Sequence, residues 1–171
     1  MSKPSLTSYP AYFQQYVEKV PEEDLLTGFK NQLPVITQFL LTITEEKSLY
    51  AYDEGKWTLK ELLQHMIDTE RIFNYRALCI ARKEKVSLPG FDENNYAANS
   101  NANGRKWQDI VDEFLAVRNT TEILFKSFSD DMLEISGLSN NNPVTVKSFG
   151  FITLGHFYHH KKVMEERYLS N

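Results

Sequence analysis

The sequence predicts an all-α protein built as a four-helix bundle. Four long segments carry apolar residues at helical spacing. The second of them opens on a capping signature, Thr58-Leu-Lys-Glu61. Only 7 glycines and few alternating apolar and polar runs leave little material for a large sheet. Four such helices, with at least one long connection, pack most economically as a bundle. At 171 residues, 42% hydrophobic and 25% charged, the chain suits one domain over residues 1–171. It shows no internal repeat, low-complexity tract or shift in composition.

A short helical segment is expected over Tyr9 to Val20. Pro21-Glu-Glu-Asp then reads as a helix start, with proline at the first position and carboxylates favoured by the dipole. That helix extends to about Thr42, its straightness interrupted by Gly28 and Pro34. The helix capped by Thr58 runs to about Lys83, where Lys85-Val-Ser-Leu-Pro-Gly90 stops it. A long polar crossover loop follows, Phe91 to Gly104, of a length that in a compact domain serves function or stays disordered. The next helix spans about Trp107 to Phe128, with Ile110, Phe114, Val117, Thr121, Leu124 and Phe128 on one stripe. After Gly137 and Asn140-Asn-Asn-Pro143 comes the last, from about Val146 to Leu169.

Composition excludes several functions. A net charge of -4 and no Lys/Arg cluster along any face argue against a nucleic-acid partner. No apolar run is long enough to span a bilayer, and the first ten residues do not resemble a signal peptide. The single Cys79 forms no internal disulfide, which fits a reducing cytoplasm. Its expected role is a small core residue.

The chemistry lies in the histidines. His156 and His160 stand four apart on the last helix and project from one face. With His156 at zero on a helical wheel, His160 falls at about +40°, Phe149 at about +20° and Val163 at about -20°. Lys147 and Glu165 lie opposite, so the pair points inward. His159, at about -60°, is a flanking residue. His65 also points inward from its own helix, sharing a face with Thr69 and Arg76. Lys60, Glu70, Arg71, Asn74 and Arg82 spread over the far side. Any one buried histidine is more often a hydrogen-bonded core residue. Three inward imidazoles from two helices make metal binding the stronger reading, with an open position of the kind catalytic sites keep. Arg76 on an apolar stripe needs a partner, for which Asp92 and Glu93 are available. Asp68 reads as a helix-surface group or an outer partner of the site. Phe151, Leu154 and Tyr158, toward the charged side, are expected to cover another helix or a second subunit.

Gly55-Lys-Trp-Thr-Leu-Lys-Glu-Leu-Leu-Gln-His65, continuing to Arg76, resembles the second-helix signature of the DinB-like superfamily. Gly155-His-Phe-Tyr-His-His160 resembles its closing His-x-x-x-His motif, and Leu88 to Tyr96 resembles a loop of its YfiT, bacillithiol-transferase-like branch. The likeness runs from about Tyr9 to Leu169, with the motifs in the family's order. The Asn-rich stretch Asn94 to Asn103 departs from it. The resemblance implies an up-down-down-up topology and a zinc or nickel ion held by His65, His156 and His160. It also implies a homodimer and transfer of a low-molecular-weight thiol, such as bacillithiol, onto an electrophile. Other relatives are regarded as metal-dependent hydrolases.

Either chemistry suits three neutral ligands, which leave the metal its full charge. A thiol brought there would lose its proton, whereas activated water would cleave an ester or amide. Asp92, Glu93 and Tyr96 are candidate catalytic groups, and Arg76 a candidate substrate anchor. The absence of a His-Glu-x-x-His pattern disfavours peptide hydrolysis. A non-catalytic metal-binding or stress-associated bundle is the remaining alternative.

Overall fold

The computed structural model describes residues 1–170. A 3-10 turn, Ala11–Phe13, leads into α1 (Gln14–Val17). The four long helices are α2 (Leu25–Leu41), α4 (Leu59–Ala81), α6 (Trp107–Lys126) and α8 (Val146–Val163). Between them lie three short helices: α3 (Glu45–Ser48), α5 (Glu93–Asn99) and α7 (Asp130–Leu133). A hairpin of β1 (Ser136–Ser139) and β2 (Asn142–Thr145) precedes α8. A π-helical turn, Met164–Tyr168, follows it.

Local chemistry explains most boundaries. Thr58 Oγ1 accepts from the Glu61 amide at 3.2 Å, and Glu61 Oε2 accepts from the Thr58 amide at 2.8 Å. This is the capping box read from the sequence, worth about 1 kcal/mol. α4 ends where Lys83 turns left-handed, at φ 64°. α2 begins later than Pro21. Asp24 is its cap, accepting from Thr27 N at 2.9 Å, because an Asp side chain satisfies an orphan amide that proline and glutamate leave open. The helix then continues through Pro34. The crossover is not a structureless loop: Asp92 caps α5 through two amides, and Ala102–Gly104 forms another 3-10 turn. The hairpin turns on Asn140 and Asn141, both at positive φ, as a two-residue type I′ loop requires.

Side-chain pairings give the helix directions. Along α4 and α6, Gln64 meets Arg105, Arg71 meets Glu113 and Asn74 meets Thr121, so the two run parallel. α8 runs antiparallel to α4, with Phe73 on Phe149 and the Tyr168 hydroxyl donating to Trp57 O at 2.8 Å. α2 runs antiparallel to α6, with Phe29 on Phe125 and Trp107 Nε1 donating to Leu40 O at 3.3 Å. The topology is therefore up-down-down-up. Parallel neighbours α4 and α6 need a connection that returns the length of the bundle, which is why residues 82–106 are needed between them.

The core has two apolar halves. One gathers Leu25, Phe29, Phe73, Phe125 and Phe149; the other gathers Ile36, Leu40, Leu63, Ile110 and Phe114. A buried polar layer adjoins both. Arg118, 2% exposed, donates from Nε and Nη2 to the two carboxylate oxygens of Glu70, each at 2.9 Å, and from Nη1 to Gln32 Oε1. Gln32 Nε2 donates onward to Leu154 O at 2.9 Å, and Thr121 Oγ1 donates to Glu70 at 2.6 Å. All four long helices are thus joined in one layer.

This layer corrects the wheel for α4, which placed Lys60 and Glu70 on the far side. Both are buried, because α4 is flanked by α6 as well as α8; Lys60 reaches Glu45 and Arg105 O. Phe151 and Leu154 are each fully buried in the chain's own core, so they are no basis for a second subunit. Cys79 is half-buried against the first core cluster. No helix among the described residues is long and apolar enough to cross a membrane.

Glu70→Ala should cost about 3–5 kcal/mol in urea unfolding, because it strands a buried guanidinium. Glu70→Leu combined with Arg118→Met should cost clearly less than Glu70→Ala alone. Equal losses for the two variants would show that the ion pair does not govern the layer.

Candidate metal centre

The antiparallel packing of α4 on α8 brings His65 opposite His156 and His160. One ligand nitrogen from each lies within 4.8 Å of the other two. Nε2 of His156 and Nε2 of His160 are 2.9 Å apart. The ring centroid of His65 is 5.2 Å from each of the others. His65 and His156 are buried and His160 half-buried.

Burial sets the protonation state. Loss of water pushes the His65 pKa down to about 4. His156 and His160 are held well below the ordinary imidazole value, first by desolvation and then by the neighbouring imidazoles. At neutral pH all three are uncharged. Two neutral imidazoles with Nε2 atoms this close either share one proton or direct both lone pairs at a cation. The donor set therefore fits a divalent metal with nitrogen ligands. On the outer side, the Thr69 hydroxyl lies 3.5 Å from His65 Nδ1, and His160 Nδ1 is buried without a partner. Among the described residues no carboxylate backs the ligands, so nothing offsets a bound cation's charge.

The histidines face a cavity of about 450 Å³. Tyr16, Trp57 and Phe73 form its aromatic wall around the triad. The Trp57 ring lies 4.9 Å from His65, and Tyr16 meets His156 and His159 edge-on at 5.4 and 5.2 Å. Tyr16 arrives on α1, which can approach only because residue 155 is glycine. A Cβ there would fall 1.9 Å from the Tyr16 carbonyl oxygen. Farther along the cavity are Arg76, Phe91 and Glu93, with Ser139, Asn140 and Asn142 of the hairpin on the rim.

The sequence-derived candidates divide accordingly. The three histidines converge, and His159 lines the cavity beside them. Glu93 also lines it, but Asp92 and Tyr96 do not. Asp92 is committed to capping α5, and the exposed Tyr96 packs on Phe91. Arg76 makes no ion pair with Asp92 or Glu93; its Nη2 donates to Pro89 O at 2.5 Å. The α5 cap turns those acids toward solvent. Asp68 binds Gln64 at 3.0 Å and lies 3.9 Å from Arg71, away from the triad. Sequence reasoning missed the hairpin rim and Tyr16. The Asn-Asn pair before Pro143 was a usable turn signal, whereas nothing local marked Tyr16 as a neighbour of α8.

The sequence profile of the DinB superfamily matches residues 6–164, and the chain belongs to that superfamily. Among solved structures it is similar to YfiT from Bacillus subtilis, described as a probable metal-dependent hydrolase with an unusual four-helix bundle topology. That match has a TM-score of 0.72 at 14% identity and covers 96% of this chain and 90% of YfiT. The two share the fold. No curated protein matches the sequence.

Two outcomes are expected. The metal-free protein should lose stability on acidification. Its histidines have depressed folded-state pKa values, so their contribution is present above the ordinary value near 6.5 and is lost as pH falls toward about 4. Melting temperatures between neutral and acid pH check this, and the decline should be smaller in a His65→Gln/His156→Gln variant. Gly155→Ala would ordinarily favour a helix interior, but here it should destabilise by about 1–3 kcal/mol, since backbone must move. Thermal unfolding gives the sign.

Proposed function

We propose that this chain is a metal-dependent enzyme that transfers a low-molecular-weight thiol to an electrophile, with His65, His156 and His160 holding a divalent zinc or nickel ion. The observation carrying this reading is a carboxylate-free triad of neutral imidazoles opening on an aromatic-walled cavity. A metal bound there supplies Lewis acidity that lowers the pKa of a thiol in its remaining position.

The chain's residues do the rest. Burial keeps the imidazoles uncharged and available as ligands. Trp57, Phe73 and Tyr16 exclude water from one side of the reacting centre and offer apolar surface to an electrophile. In the reaction a sulfur–carbon bond forms. Either a carbon–halide bond breaks, halide ion and the thiol proton both passing to solvent, or an epoxide carbon–oxygen bond breaks and the resulting alkoxide takes a proton from solvent in place of the one the thiol gave up. No side-chain base is needed to remove it, because an ordinary thiol already ionises near pH 8.5. That matches a triad with no carboxylate beside it.

Hydrolysis is the second reading, favoured by the fold shared with YfiT and by Glu93 on the cavity wall. There Glu93 would manage the protons of water and leaving group. A homodimer in a reducing cytoplasm accords with either reaction.

Metal-reconstituted protein should accelerate conjugation of small thiols to a chromogenic electrophile, and a chelator or His160→Ala should abolish the acceleration. Losing a ligand should weaken metal binding by more than the roughly 10- to 100-fold that outer partners alone contribute, as read by equilibrium dialysis. Equal conjugation rates for wild type and His160→Ala would exclude thiol transfer. Ester turnover lost in Glu93→Gln would establish hydrolysis instead.

A further inference from the structure

Among the described residues two arginines are buried in the interior, and they are treated differently. Arg118 has a carboxylate on two of its nitrogens and a carboxamide on the third. Arg76 is also only 6% exposed, yet its guanidinium has a single hydrogen bond, from Nη2 to the Pro89 carbonyl. Among the described residues no carboxylate lies within 4 Å of it. Loss of water lowers its pKa, and no neighbouring charge compensates. A guanidinium has five N–H donors and does not deprotonate in this range, so leaving it unpaired is costly. Arg76 tolerates this position because it forms part of the cavity wall.

The cavity gives that unmet demand a direction. Arg76 follows His65 by eleven residues on α4, which returns it to nearly the same face about 16 Å along the helix. Phe91 lies under its guanidinium, with the ring centroid 5.9 Å away. Gly90, beside the Pro89 carbonyl, abuts the Asn140 side chain of the hairpin tip. The arginine therefore sits at one end of a cavity whose other end is the histidine triad. Glu93 also lines the cavity, but it is exposed and screened by water.

We propose that Arg76 recognises an oxyanion, carboxylate or phosphate, on an elongated small-molecule substrate whose reactive group lies at the triad. The planar fork of the guanidinium takes either anion through paired hydrogen bonds. This rests on the metal-dependent reading above and narrows its substrate to anionic molecules a few helical turns long. It also makes Arg76, rather than an acidic loop residue, the group that sets substrate class.

Two measurements test it separately from the reaction. In the metal-free protein, succinate and methyl phosphate are titrated while the arginine Nε–Hε resonances are followed by NMR, the Arg76 signal being identified with Arg76→Lys. The Arg76 signal should shift saturably with at least one probe, while that of Arg118, already paired, stays fixed. The response to each probe separates carboxylate from phosphate. An unmoved Arg76 signal, or equal drift of all arginines, overturns the proposal. In the cobalt-loaded protein, 11-mercaptoundecanoate, whose chain is long enough to reach from the triad to Arg76, should bind about tenfold or more tightly than 11-mercapto-1-undecanol, a difference of about 1.4 kcal/mol. Arg76→Gln should erase that preference for the carboxylate over the alcohol. If neither thiol perturbs the cobalt spectrum but succinate shifts Arg76, thiol transfer fails and the anchor stands. If both thiols bind equally and no probe shifts Arg76, the anchor fails and thiol transfer stands.

Discussion

One guanidinium holds this bundle in alignment. Arg118 grips Glu70 on the neighbouring parallel helix and Gln32 on the antiparallel one, and Gln32 passes the tie to the backbone of α8 at Leu154. Apolar packing alone tolerates sliding between helices, since leucine and phenylalanine accept many neighbours. A bidentate ion pair and a carboxamide with both ends occupied do not. Glu70 lies just beyond His65 on α4, and Leu154 just before His156 on α8. The tie therefore fixes the axial relation of the two helices that carry the imidazoles.

The same interior is charged with two opposing demands. The polar layer is satisfied internally and locks the fold. The histidines and Arg76 are left without such partners and face a cavity. Burial removes the protons from the imidazoles and leaves the arginine charged. The result is a pocket rich in lone pairs at one end and donors at the other. A bundle without the crossover could not build it. The parallel pairing of α4 with α6 forces residues 82–106 back along the bundle, and this return places Pro89, Gly90 and Phe91 beside Arg76. The hairpin then holds the connection in place, Asn140 N donating to Leu88 O at 2.7 Å and Leu88 N to Leu138 O at 3.0 Å.

Much of this was readable before any coordinates. The Thr58 cap, the four amphipathic segments and the inward His65, His156 and His160 all depend on helical periodicity, which is local and strong. Periodicity failed where a helix has two buried flanks. Glu70 and Lys60 read as solvent-facing because a wheel assumes one apolar stripe, while α4 touches α6 as well as α8. It was also silent on partners distant in sequence. Nearness in the chain offers Arg76 only Asp92 and Glu93 as partners, yet Asp92 caps a helix and a carbonyl meets the arginine. Tyr16 reaches the triad only through a missing methyl at Gly155, a steric allowance that no spacing rule encodes.

That allowance has a bearing on how the centre comes into being. His65 lies early in the chain, its two companions lie on the last helix, and the aromatic lid over them comes from the first segment. No single helix brings the three imidazoles together. The triad is incomplete until α8 packs on α4, and its aromatic wall is incomplete until α1 seats against the groove at Gly155. An ion held by all three imidazoles would therefore depend on the whole tertiary arrangement having closed.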